Sequence, residues 1–286
     1  MSPRTFALLL SLTPGIGGKS VSRIVTRNSL MARSPQDFLR LSVETWREEY
    51  RLSVKASDNL KVQALKGPAE IEELERKLLG LGVNLITMQD AEYPERIEQF
   101  DPDPPGVLFL YGNQKLLQSK SFAVLSSRSA TPTQLDQIEA LTQEGVLNGE
   151  VLVSGHDRPE YQRSAIVPLR WGAPRILCLD RGLFRVLGDD LKNEPFRAAR
   201  LWRYEFDPLT DLVVTPFRPE ADFVGVNNKV RDRLIASLAH RTDFVHLGIG
   251  GGMDQIARLA AKAGRTFRVP EEHAGRFPAA TALPVG

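Results

Sequence analysis

The chain has 286 residues, 42% hydrophobic and 25% charged, with a formal net charge of +2. That length suits about two domains with a proper core, and so small a net charge excludes a polycation, leaving room only for a local nucleic-acid patch. The single cysteine, Cys178, cannot form an internal disulfide and reads as a buried small hydrophobe in a reducing compartment. No apolar run reaches the roughly 18 residues of a membrane span. The short run 6–12 has only Arg4 before it and no cleavage-site residues after it, so the protein is expected in the cytoplasm, off the membrane.

Residues 1–90 read as a helical domain. Leu8, Leu9 and Leu12, then Val21, Ile24 and Val25, recur at helical spacing on either side of 13–20, TPGIGGKS. A phosphate loop of the Walker type needs a glycine where Thr13 stands, which argues against an ATPase. A helix–hairpin–helix turn fits better. There Gly15, Ile16 and Gly17 join two short helices, and the second helix's first amides, with Lys19 beside them, can hold a DNA phosphate. A plain tight turn between helices accounts for the same glycines and stays open. Further on, Ile71, Leu74, Leu78 and Leu79 mark a helix that Gly80 and Gly82 would end, and strand-like alternation begins only at 83–87.

Four prolines between Tyr93 and Pro105 fit neither helix interior nor central strand, and 91–106 is taken as a linker. From 107 to 270 short apolar runs alternate with helical stretches: 122–125, 151–153, 175–179, 212–214, 244–247 and 266–269 read as strands. That alternation predicts an α/β fold, a doubly wound, mostly parallel sheet, with 271–286 as a tail. Ligands of such sheets bind beyond the carboxyl ends of the strands. Three turns there carry small or basic residues: Ser126, Ser127 and Arg128; Ser154, Gly155 and Arg158; and Gly250, Gly251 and Gly252. Gly248 and Gly250 begin a dinucleotide fingerprint, but Met253 occupies its third glycine position, which argues against NAD.

Between 223 and 268 eight Lys/Arg face three Asp. Lys229, Arg231 and Arg233 open a helix there, and guanidinium forks beside a glycine loop suit a phosphodiester. A solvated basic face accounts for the same run and also stays open. The histidines have no metal-ligand spacing, and no nucleophile elbow surrounds Ser154, so neither metal, cofactor nor catalytic residue is assigned.

Taken together, these motifs resemble the DNA-processing protein A (DprA, or Smf) family. Leu12 to Gly17 is similar to its "LPGIG"; Tyr93-Pro94, Pro104-Pro105 and 108–113 to its "YP…PP-x-L-x-x-x-G-N"; and 124–131 to "VVGSRxAT". The 153–158 turn, 231–238 and 251–270 resemble its "SGxAxG", "RNRIIAGL" and "SGS…ARLA…GR…VP". The resemblance implies a Rossmann-like domain preceded by a helix–hairpin–helix or SAM-like domain; the C-terminal winged-helix domain that many members carry is not expected in this chain. It implies single-stranded DNA binding without turnover in DNA uptake and recombination, a RecA-type recombinase as partner, and a homodimer. The nucleic-acid contacts expected from it are Ser127, Arg128, Ser154, Gly155, Arg158, Lys229, Arg231, Arg233 and Gly250–Gly252, with Gly15, Gly17 and Lys19 as a second phosphate contact. Asp232 stands in place of the motif's central asparagine and Met253 in place of a serine, so weaker binding than in typical relatives is expected. The alternatives are a nucleotide-sensing or partner-binding protein of a bacterial defence or toxin module, as in the wider superfamily that includes the LOG proteins, and a structural remnant.

Overall fold

The structure, a computed structural model, describes residues 1–66 and 68–283. It divides into two compact units, Met1–Pro94 with Pro102–Leu110 and Glu95–Asp101 with Tyr111–Gly286. Among the described residues no helix is long and apolar enough to cross a membrane.

The first unit starts with six helices: α1 Pro3–Ser11, α2 Gly18–Leu30, α3 Pro35–Leu39, α4 Val43–Tyr50, α5 Val54–Lys66 and α6 Pro68–Gly80. Local chemistry sets several of their starts. The hydroxyls of Ser2, Ser34 and Ser42 accept the amides of Thr5, Asp37 and Thr45, and Pro3 and Pro35 stand at the first helical positions. The buried ring of Phe38 packs edge-on against Phe6 and Tyr50 at 5.4 and 4.9 Å between centroids. Between α1 and α2 the chain makes the expected hairpin: Gly15 turns with φ +89° and Ile16 is buried. Strand β1, Val83–Thr87, follows α6.

The region expected as a linker, 91–106, is packed structure instead. It contains helix α7, Glu95–Phe100, with Ile97 and Phe100 buried. On the first unit's side the Tyr93 hydroxyl donates to the Pro105 carbonyl at 2.6 Å and the Ser11 hydroxyl to the Gly106 carbonyl at 3.0 Å. The prolines do exclude regular structure where they stand, but turns whose carbonyls are bonded at Pro104, Pro105 and Gly106 serve as well as an open tether.

Strand β2 runs Val107–Gly112, and the second unit then alternates β3 Ser121–Ser126, α8 Pro132–Leu147, β4 Val151–Ser154, α9 Pro159–Ala165, α10 Val167–Arg170 and β5 Arg175–Cys178. It continues with α11 Leu183–Leu187, β6 Leu212–Thr215, α12 Asn227–Leu238, β7 Arg241–His246, α13 Gly252–Lys262, β8 Thr266–Val269, α14 Glu271–Ala274 and β9 Thr281–Ala282. Within this unit the strand order is β6-β5-β4-β3-β7-β8-β9, and each neighbouring pair is parallel. This is a doubly wound α/β sheet of the Rossmann-like kind. Strands buried on both faces, such as β3 throughout, explain why the sequence shows continuous apolar runs there. From β3 the chain steps outward through β4, β5 and β6; α12 then carries it back to β7 on the other side of β3. The winding therefore reverses between β3 and β7, and a crevice opens there at the strands' carboxyl ends.

The expected tail is also packed: β9 pairs with β8, and Phe277 and Leu283 are buried. At the other end of the sheet, the excursion between α11 and β6 is held by four buried or half-buried charges. Arg175, fully buried, donates to Asp211 at 2.8 Å and to both oxygens of Glu194 at 2.8 Å, while Arg203 reaches the same two carboxylates. Removing one partner would strand buried charge. Arg175→Ala is accordingly expected to lower unfolding stability by about 3–5 kcal/mol, read from urea denaturation midpoints.

Candidate nucleic-acid interface

The crevice is built from two loops. After β3 the Ser127 amide donates to the His246 carbonyl at 2.9 Å, and the Ser127 hydroxyl accepts the Gly248 amide at 2.9 Å. The 127–131 loop is held on its other side by the Glu160 carboxylate, which accepts the Ala130 amide at 3.2 Å. A capping box closes it: Thr131 accepts the Gln134 amide and Gln134 returns the bond to the Thr131 amide. Arg128, on the tip of this fastened loop, is exposed and has no hydrogen-bond or ion-pair partner among the described residues. Fixing the loop while leaving the guanidinium free is the arrangement a phosphate contact needs.

Opposite stands the glycine loop, where Gly250 has φ +74° and Gly251 precedes the first turn of α13. The amides of Gly252 and Met253 have no partner among the described residues and carry the helix's partial positive charge. The loop also carries its own anion. The buried Asp254 carboxylate accepts the Gly250 amide at 3.2 Å, Arg258 at 3.1 Å and Arg276 at 2.5 Å. Burial opposes its ionisation, but these hydrogen bonds outweigh it and hold Asp254 below the usual carboxylate range. Part of the expected anion site is thus filled from within.

The second turn is filled completely. Ser154 is buried, its hydroxyl shared with the Ser164 hydroxyl at 3.1 Å and the Gly155 carbonyl at 3.2 Å. Gly155 lies under Tyr161: a Cβ there would fall 2.7 Å from the ring, so only glycine fits. Arg158 covers Tyr161 at 4.5 Å and Arg231 also stacks on it, 4.7 Å from the centroid. Arg158 retains donors without hydrogen-bond partners, its charge facing Asp232 at 3.7 Å.

The largest correction concerns the arginines of α12. Arg231 does not face the glycine loop; it is 0% exposed. Its donors go to Asp232 at 2.8 Å, Asn228 at 3.1 Å and Asp157. Arg233, two residues on and therefore on another helix face, donates to the buried Asp101 at 2.9 and 3.0 Å. The remaining arginines of the basic run are engaged too. Arg241 pairs with Glu150 and Asp243, Arg258 with Asp254, and Arg268 with Asp243 and Glu144, while Arg265 donates to the Arg96 carbonyl at 2.7 Å. Of the eight cations only Lys229 and Lys262 lack a partner among the described residues. In the first unit the Gly18 amide donates to the Pro104 carbonyl at 3.1 Å, and Asp103 lies against Gly17, 2.8 Å from where a Cβ would stand. Of the expected phosphate contact, Gly15 and Lys19 are exposed and Gly17 is half-buried beside Asp103.

Sequence reasoning missed the centre of this network. Tyr161, Asp157, Asp180 and His156 form it together with Arg231. The Tyr161 hydroxyl donates to Asp232 at 2.6 Å, and burial first, then Asp232, pushes the phenol well above its usual range. Burial likewise pushes the Cys178 thiol up, leaving it unreactive. His156 lies 3.8 Å from Asp180; burial holds it down to about 4 despite the pull of Asp180 and Asp157, with Arg231 and Arg181 adding to the depression. Among the described residues no group of His, Cys, Asp and Glu could hold a metal ion.

Two outcomes follow from this network. Arg231→Ala should destabilise the protein by about 3–5 kcal/mol, whereas Lys229→Ala should change stability by less than about 0.5 kcal/mol; chemical denaturation compares them. His156 is neutral in the native state while the unfolded chain takes up a proton below about pH 6.5, so stability is full above that pH and declines toward pH 4. Between pH 7 and 5 the loss should be about 2 kcal/mol, and a His156→Gln variant should lack that slope.

A family model, DNA recombination-mediator protein A, matches residues 84–159. The chain is 31% identical over 112 residues to the DNA processing protein DprA of Bacillus subtilis, an alignment that takes in 36% of this chain and 37% of that relative. The DprA structure from Streptococcus pneumoniae superposes with a TM-score of 0.73 over 99% of this chain and 95% of that one, at 18% identity. That of DNA processing protein A from Helicobacter pylori does so at 0.55, over 70% and 90%, at 19% identity. The two structural likenesses concern the fold, and the family model and the Bacillus relative concern the sequence. On these findings the chain is similar in sequence to DNA processing protein A over about a third of its length, and it shares the fold of the solved structures of that protein.

Proposed function

We propose that the protein binds single-stranded DNA in the crevice between the loops after β3 and β7, without chemical turnover, and acts in DNA processing and recombination. The observation that carries this reading is Arg128: an unpaired guanidinium on a fastened loop, at the point where the winding of the sheet reverses and beside a helix start with open amides. The H. pylori relative's structure concerns its single-stranded DNA binding mode, which supports the same ligand class here. Lys229, exposed and unpaired among the described residues, supplies a second cation.

So few free cations make for modest affinity with little sequence preference. Arg231 and Arg233, engaged by carboxylates, shape the unit rather than touch the strand. Their positive charge is balanced before any phosphate arrives.

The test is fluorescence anisotropy with a labelled oligothymidylate at several salt concentrations. Wild type should bind at low ionic strength, and Arg128→Ala should weaken binding and flatten the logarithmic salt slope by about 0.7, the value for one single-strand phosphate contact. Binding that ignores Arg128, or no salt-sensitive binding at all, would refute the reading. Tight binding of a nucleoside phosphate in its place would transfer the crevice to a nucleotide.

A further inference from the structure

The loop leading into α12 exposes apolar side chains at the ligand edge of the sheet. Phe223 is 42% exposed, Val224 58% and Val226 59%. Isolated exposed apolar residues are ordinary, but Phe223 is held in place in a way that the valines are not. The Arg181 guanidinium lies over its ring, 5.0 Å from the centroid. Arg181 is itself fixed by the buried Asp180, which accepts its Nε–H at 2.8 Å and its Nη2–H at 3.3 Å. The two loops are tied by the Gly182 amide donating to the Ala221 carbonyl at 2.9 Å, and by the Asn227 side chain donating to the Asp180 carbonyl at 2.8 Å. The ring is thus backed by a guanidinium and still presents open surface.

Its place in the sheet suggests the occupant. Arg181 follows β5, two strands from β3, so the platform is displaced from the crevice by about 10 Å at the usual strand spacing. A strand of several nucleotides lying across the carboxyl ends covers that distance. The neighbouring charges suit a polyanion: Lys229 is unpaired among the described residues, and the carboxylate next to the ring, Asp222, is paired with Arg185 at 3.0 Å.

We infer that Phe223, backed by Arg181, is a base-stacking platform that holds one nucleobase of the strand whose phosphates enter the crevice at Arg128. The inference rests on the single-strand reading of that crevice and adds a contact to the bases, which every base can make because each has a π-face.

Anisotropy with an oligothymidylate and an abasic strand of equal length separates the two contacts. Wild type should bind the base-bearing strand more tightly. Phe223→Ala should lose about tenfold for that strand, with the abasic strand and the salt slope unchanged, and Phe223→Tyr should retain affinity. Thermal melting should match wild type, since the ring is half exposed. If Phe223→Ala weakens both strands equally or neither, or if wild type fails to distinguish them, the platform is wrong while the crevice reading stands. If wild type binds neither strand, the crevice reading falls and the platform with it.

Discussion

A guanidinium removed from water must have its charge balanced and its N–H donors met from inside the protein, and Arg231 imposes that demand on the α/β unit. Its donors recruit Asp157 from the turn after β4, and Asn228 and Asp232 from its own helix, with Asp180 at the end of β5 close by. Its flat face stacks on Tyr161, whose hydroxyl returns to Asp232 and whose ring leaves room only for glycine at 155. One buried charge thereby joins α12 to the ends of β4 and β5, and it sets what the neighbouring positions can be. Buried networks of this kind tolerate no missing member, because each loss leaves another charge uncompensated.

The same demand decides where a ligand can be held. A cation already bonded to a carboxylate adds little to the attraction of a phosphate, so the basic character of 223–268 is largely consumed inside the unit. What remains at the crevice is sparse but well placed. Arg128 is free because its loop is fastened through Ser127, Ala130 and Thr131 rather than through its own side chain. Asp254 limits the opposing helix start by occupying part of it. With few phosphate contacts, a stacked base supplies attraction that salt does not screen, which gives the Arg181–Phe223 pair a physical reason to exist beside a weakened electrostatic site.

Much was legible in the residue order alone, because it depends on neighbours within a few positions. Apolar runs located β3 to β8, apolar residues at helical spacing gave the first unit its helical character, and glycines marked the turn at Gly15 and the loop at Gly250. The crevice follows from strand alternation together with the rule for doubly wound sheets, and Arg128 was picked out on those grounds. The family motifs were legible for the same reason, being short and ordered along the chain.

Partners far apart in sequence were not legible. Nothing near Arg233 announces Asp101, 132 positions away, and nothing near Arg231 announces Asp157, 74 positions away. Charge counted along a segment cannot distinguish an exposed cation from one whose carboxylate arrives from another element, and proline counts cannot distinguish a tether from a bonded turn. The sequence by itself determined the elements, their alternation and the place where a ligand would meet the sheet. Only the tertiary structure decided which cations stay free, because burial and pairing are settled by contacts between distant segments.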